Sequence, residues 1–237
     1  MSRVCEVWQL GEMDYAAALA LQGRLAAARA AGDAPDRLLL LTHPHTFTLG
    51  SAARAEHLLW DAAERARRGV AVHRADRGGG VTYHGPGQLV AYPIITLETR
   101  DPIAYARALE QVVIGALADF GIRACAVAGL TGVWADTPSG LAKVCAIGAR
   151  ITARGVTKHG CALNVSADLS YFGGIVPCGI RDQGVTSMAA LLGGPVDTDA
   201  VTARIVARFG RVFDVEMRTT NPARSPAAYQ LLDLCAR

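Results

Sequence analysis

The chain has 237 residues, and its net charge of +3 is too mild to point to a nucleic-acid partner. At 51% hydrophobic and 19% charged it can bury a core and is not a disordered tail. No apolar run approaches the roughly 20 residues of a membrane helix, and the start lacks the uninterrupted apolar stretch of a signal peptide, so a soluble cytoplasmic protein with no membrane partner is expected.

Asp14 can cap an Ala/Leu-rich helix that runs to Gly32, a C-terminal stop. Arg37–Thr42 carries four consecutive leucines between polar flanks, which suits a buried strand. Residues 55–68 read as a second helix stopped at Gly69, followed by short strands at Val70–Arg74 and Leu89–Thr96. Asp101-Pro102 is a strong helix start, a cap followed by Pro at the first helical position, and apolar spacing continues to Gly121. Short β-type runs follow at Ala124–Val127, Gly132–Ala135, Lys143–Ile151 and Gly160–Ser166. Thr186–Leu192 and Asp199–Phe209 return to helix, Val212–Met217 reads as a last strand, and a tail from about Asn221 is expected to be peripheral. With no repeat, linker or charge block, one domain over 1–237 is expected. Consecutive strands in the middle favour an α+β fold with a mixed or antiparallel sheet flanked by helices over a doubly wound one.

Of the 24 Lys and Arg residues only Lys143 and Lys158 are lysines. A genomic bias toward Arg explains such a composition wherever only a surface charge is needed. Lysine can give up its proton and arginine cannot, so a position that stays Lys is a candidate for chemistry. Lys143 stands at the start of a strand-like run; Lys158 stands in a polar turn, where a solvated charge is natural.

The densest segment is Arg77-Gly78-Gly79-Gly80-Val81-Thr82-Tyr83-His84-Gly85-Pro86-Gly87-Gln88. Its glycines let backbone approach a ligand closely, or it is simply a glycine-rich hairpin. It is neither a Walker A loop nor a dinucleotide fingerprint, and no cofactor is implied. The six cysteines have no zinc-type spacing, and most suit buried reduced thiols. Cys178 differs: Pro177 and Gly179 flank it in a tight turn that leaves a thiol accessible. Only the thiolate attacks, and a nearby ammonium raises its fraction. His43-Pro44-His45 reads as a Pro-containing turn rather than a metal site, and no metal is expected; His84 and His159 each precede a glycine and suit either a ligand contact or a turn.

Taken together, RGGGVTYHGPGQ (77–88), KVCAIG (143–148), HGCALNV (159–165) and IVPCGI (175–180) resemble the lipoyl(octanoyl) transferases of protein lipoylation, in the family's order and near its spacing. The resemblance implies a fold like the catalytic domain of biotin and lipoate protein ligases. It implies that Cys178 takes an octanoyl group from acyl carrier protein as a thioester, with Lys143 lowering the thiol pKa and moving protons. The acceptors it implies are lysines of lipoyl domains in 2-oxoacid dehydrogenase complexes and of the glycine-cleavage H protein. Residues 77–84, Ala146-Ile147-Gly148 and Gly160-Cys161-Ala162 match segments lining the family's acyl pocket, with His159 beside them. Cys161 replaces a bulkier apolar residue, Gly80 a larger polar one, and Ser51 stands where polar or basic side chains are frequent. The rival reading on the same fold is an ATP-dependent lipoate or biotin-type ligase, which needs no nucleophilic cysteine.

Overall fold

The computed structural model describes residues 3–176 and 184–221. The chain begins with β1 (Arg3–Glu12) and α1 (Tyr15–Ala31), followed by β2 (Asp36–Thr42) and β3 (Thr46–Leu49). Next come α2 (Ala62–Arg67), β4 (Ala71–Arg74), β5 (Val81–His84), β6 (Gln88–Ile94) and α3 (Pro102–Ala118). A run of strands occupies the middle: β7 (Ala124–Val127), β8 (Leu130–Thr137), β9 (Gly140–Ile151) and β10 (Thr157–Asn164). The last described elements are β11 (Gly184–Val185), α4 (Met188–Leu192), α5 (Thr198–Phe213) and β12 (Val215–Thr219).

Among the described strands, nine form one mixed sheet in the order β12-β1-β2-β6-β10-β9-β8-β7, with β11 added beside β9. A second sheet, β4-β3-β5, carries the glycine-rich segment. The four leucines of β2 show why the large sheet is apolar on both faces. Leu38 and Leu40 join the core that contains Leu109 and Val113 of α3 and Ile205 and Phe209 of α5. Leu39 and Leu41 face the other way, onto Leu21 and Leu25 of α1. On a strand covered on both sides, period-2 alternation sends the four leucines by turns into the two cores.

β9 organises the part of the sheet that matters for function. One edge pairs with β8; the other is shared between β10, from Cys145 to Ile151, and β11, at Ala142 and Lys143. Lys143 therefore sits where β10 stops and β11 begins. No described helix is long and apolar enough to cross a membrane.

Several elements differ from the sequence expectation. The helix expected over 55–68 is two pieces, a 3-10 turn at Ala55–His57 and α2. Between them the chain is extended, with Leu58 bridged to Ile175 and the Leu59 N–H donating to the Gly174 carbonyl, and Asp61 caps a fresh helix. Val212 and Phe213 belong to α5 rather than to a strand, because Phe213 stacks on Phe209 one turn earlier, 4.3 Å between ring centres. The helix expected from Thr186 starts at Met188: Thr186 is spent on the Lys143 carbonyl, and Ser187 is the cap. β10 starts at Thr157, so Lys158 and His159 lie on a strand and not in a turn. The glycine-rich segment is not a hairpin, since β4 and β5 both border β3 rather than each other. β1, β3, β5 and β11 have no counterpart in the sequence expectation. The tail expected to be peripheral lies outside the described residues from 222 onward.

The far edge of the sheet is fastened by Asp36, whose side chain is fully buried between Arg3 (2.9 Å) and Arg29 (2.6 Å) and accepts the Thr96 N–H at 3.0 Å. Removing one partner of such a cluster strands the others without compensation. Asp36→Ala is expected to lower stability by about 3 kcal/mol, read as a fall in the urea midpoint at constant m-value.

Candidate functional site

Lys143 projects from β9 and is only 8% exposed. Its Nζ donates to the Thr131 carbonyl at 3.1 Å and lies 4.6 Å from the centre of the Trp134 ring. The amino group thus has one carbonyl and one aromatic face in place of water, both contributed by β8. It stands between two openings. Inward is a narrow slot along the β9–β10 pair; outward is a cleft of about 420 Å³ bordered by Tyr105 and Ala106 of α3 and by Gly129–Thr131.

The slot brings together most of the residues singled out in the sequence. Ala146, Ile147 and Gly148 of β9 and their direct pairing partners Ala162, Cys161 and Gly160 of β10 line it, with Arg77, Gly79, Thr82 and His84 from the smaller sheet and the loop before it. Gly78 and Gly80 border the outer cleft instead. Val81 and Tyr83 border neither opening. On β5 they alternate with Thr82 and His84, so they point the other way, into a cluster with Phe47 and Phe172. Tyr15 of α1 and Tyr92 of β6 also wall the slot, and no sequence pattern marked either one. Both carry aromatic area with a hydroxyl, and only the packing of α1 on the sheet brings them there.

Close approach of backbone builds the wall. Gly148 is paired with Gly160 across the strands, and a Cβ at Gly148 would stand 3.1 Å from the Gly78 carbonyl oxygen and 3.2 Å from Arg77 Cδ. The Gly78 N–H donates to the Ala149 carbonyl at 3.1 Å. Arg77 is buried, and its guanidinium donates to the Thr48 carbonyl (2.7 Å), the Thr48 hydroxyl and the Gly78 carbonyl. The glycine loop is thereby tied to both sheets. This arginine is a structural clamp as well as a wall residue.

Asp76, which the sequence reading passed over, completes that tie. Its carboxylate accepts from His159 Nε2 (2.6 Å) and Lys158 Nζ (2.9 Å) and pairs with Arg150 at 3.1 Å. Lys158, expected as a solvated turn residue, is thus a mostly buried bridge from β10 to the glycine loop. His159 has φ 57°, and its N–H donates to Gln22 Oε1 at 2.7 Å, which fixes the local twist of β10 and turns the imidazole into the slot wall. Burial lowers the His159 pKa against the opposing pull of Asp76; burial, then His43 and Arg77, lowers that of His84. Both shifts favour the neutral imidazole.

The described cysteines divide clearly. Cys5, Cys145 and Cys161 are buried and Cys125 is exposed. Burial pushes the Cys5 thiol up to about 12; burial and then Cys161 push Cys145 well above the ordinary range. Neither is a thiolate at neutral pH. Cys178 lies outside the described residues, between Val176, whose N–H donates to the His57 carbonyl, and Gly184, which β11 pairs with Ala142 beside Lys143. Among the described residues no cluster of His, Cys, Asp and Glu could hold a metal ion.

The mixed sheet with its slot is the fold of lipoate-attaching enzymes. It superposes on a bipartite lipoate protein ligase from Thermoplasma acidophilum with a TM-score of 0.77 over 99% of this chain and 93% of the other, at 18% identity. A lipoate-protein ligase A bound with ATP gives 0.78 over 100% and 95%, at 16% identity. More specifically, residues 14–210 match the lipoyl protein ligase A/B catalytic domain, and the chain belongs to that family. Its relatives there include an octanoyltransferase from Chloroflexus aggregans, 52% identical over 90% of this chain and 96% of that one.

The Asp76 tie has a defined pH signature. Burial alone would raise its carboxyl, but hydrogen bonds from His159 and then Lys158 outweigh that and hold the group at about 2. A depressed carboxylate adds stability above its unfolded pKa and loses it as pH falls through the folded one. Discounted for an exposure above one third, the contribution is about 1 kcal/mol. The stability gap between wild type and Asp76→Asn is expected to be full above pH 5 and to narrow from pH 4 to pH 2, measured as denaturation midpoints across that range.

Proposed function

We propose that the chain transfers an octanoyl group from the thioester of an acyl carrier protein, through a thioester on Cys178, to the ε-amine of a lysine on lipoyl domains. Those acceptors are the lipoyl domains of 2-oxoacid dehydrogenase complexes and the glycine-cleavage H protein. The observation that carries this reading is the position of Lys143: a buried ammonium at the junction of a narrow slot and a wider cleft, paired through β11 to the chain that leads from Cys178. The octanoyltransferase name of a half-identical relative supports the acyl group and the reaction.

The chemistry is balanced without a cofactor. In the first half-reaction the Cys178 thiolate attacks the donor carbonyl, a new C–S bond forms, and the old one to the carrier thiol breaks. The leaving thiolate takes a proton from Lys143. In the second, the acceptor amine attacks the acyl-enzyme, a C–N bond forms, and the C–S bond to Cys178 breaks. Lys143, now neutral, accepts the proton shed by the attacking nitrogen. Exchange of one thioester for another is near balance, and conversion to an amide runs downhill, so no ATP is consumed. An alkyl chain in the slot gains about 0.8 kcal/mol per buried methylene, and Cys161 makes the wall smaller than the bulky apolar residue usual there.

Intact-mass measurement after mixing with octanoyl-acyl carrier protein is expected to show one octanoyl adduct, labile to hydroxylamine, absent in Cys178→Ala and passed on to an apo lipoyl domain. An adduct that persists in Cys178→Ala, or one that forms only with ATP and free octanoate, would falsify the mechanism and favour the ligase reading. Lys143→Arg keeps the charge beside the thiol but cannot accept a proton. Its turnover is expected to drop at least about a hundredfold while Cys178 still alkylates readily; unchanged turnover reduces Lys143 to an electrostatic role.

A further inference from the structure

Lys143 is held from behind by an arm that no sequence motif marked. Thr131, whose carbonyl accepts from the ammonium, and Trp134, whose ring faces it, both lie on β8, whose pairing with β9 shifts register between Val133 and Trp134. Gly132 lies directly beneath the lysine stem. It has φ 123°, and a Cβ there would stand 2.7 Å from the Cys145 carbonyl oxygen and 3.2 Å from Lys143 Cε. Only bare backbone lets the stem pass.

That backbone is fixed by α3. Glu110 is 1% exposed and sits among the apolar residues Leu109, Val112 and Val113. Its Oε1 accepts the Gly132 N–H at 3.0 Å, and its Oε2 accepts from Arg107 at 2.5 Å. A carboxylate in such surroundings is costly unless its oxygens are used, and here one oxygen holds the Gly132 N–H of β8 while the other is neutralised by a half-exposed arginine.

We propose that Glu110 is a positioning residue for Lys143: by holding the Gly132 N–H, it places the Thr131 carbonyl and the Trp134 face around the ammonium at the junction of slot and cleft. The geometric part concerns Lys143 alone. Its consequence for turnover rests on the proposed role of that lysine in proton transfer.

The near-absence of lysine makes this testable. Labelling with [13Cε]lysine gives two side-chain signals, from Lys143 and Lys158, assigned with Lys158→Arg. The Lys143 methylene, close to the Trp134 ring, is expected upfield of a free lysine. In Glu110→Ala, and in Glu110→Met, which keeps length without an acceptor, it moves most of the way to the free position. The Lys158 signal stays put and reports that the fold persists. Glu110→Gln retains an acceptor oxygen and keeps the wild-type signal. Octanoyl transfer is expected to lose at least about tenfold in kcat in the Ala and Met variants, with KM for the acyl donor little changed, and to be restored in Gln. A Lys143 signal that stays put in both the Ala and Met variants overturns the positioning. A displaced signal with unchanged turnover upholds the positioning and instead overturns proton transfer by Lys143.

Discussion

An ammonium taken out of water must be compensated, and the surroundings of Lys143 are organised to do so. A single backbone carbonyl and the face of an indole stand against it, both delivered by β8 where its pairing with β9 shifts register. Gly132, with positive φ, lets the lysine stem pass; its N–H needs a partner, and the partner is a buried carboxylate on α3. The helix, in turn, is fixed by apolar packing on the sheet. Hydrophobic burial and polar precision are thus linked in series, and the second has a rigid base because the first is extensive.

The slot shows the same economy. Its walls come from two sheets that share no strand, and what keeps them together is polar. Arg77 clamps the glycine loop to Thr48 of β3, and Asp76 bonds to His159 and Lys158 of β10. A gap bounded by backbone and small side chains keeps its shape only if the backbones are pinned. The two lysines therefore have different physical tasks. One is presented to the slot and the cleft, where the proposed transfer would use its proton; the other is consumed in an ion pair that arginine could also make.

Much of the fold was legible locally. Asp14 and Asp101 cap the helices they announce, and the four leucines of β2 form a strand covered on both faces. Strand alternation also decided which residues of 77–84 could face the slot, but the phase of β5 is set by its pairing with β3, so the sequence could not separate Thr82 and His84 from Val81 and Tyr83. β1 and β12 pair in parallel although they lie at opposite ends of the chain, and parallel pairing leaves no turn signature between partners. Asp76 looked like an ordinary loop acid because its partner Lys158 is 82 residues away.

The sequence by itself carried the family, since four short motifs resemble it in order and spacing, and a composition nearly free of lysine singled out Lys143. Tertiary structure alone decided what surrounds those residues. Packing set the Lys143 Nζ against one carbonyl and one ring, turned Lys158 into a bridge, and gave Glu110 a backbone N–H to hold. The reason is physical: chemical capacity belongs to a side chain and can be read one residue at a time, whereas desolvation and hydrogen-bond partners are properties of a place. In this chain those places are built by strands and helices far apart in sequence.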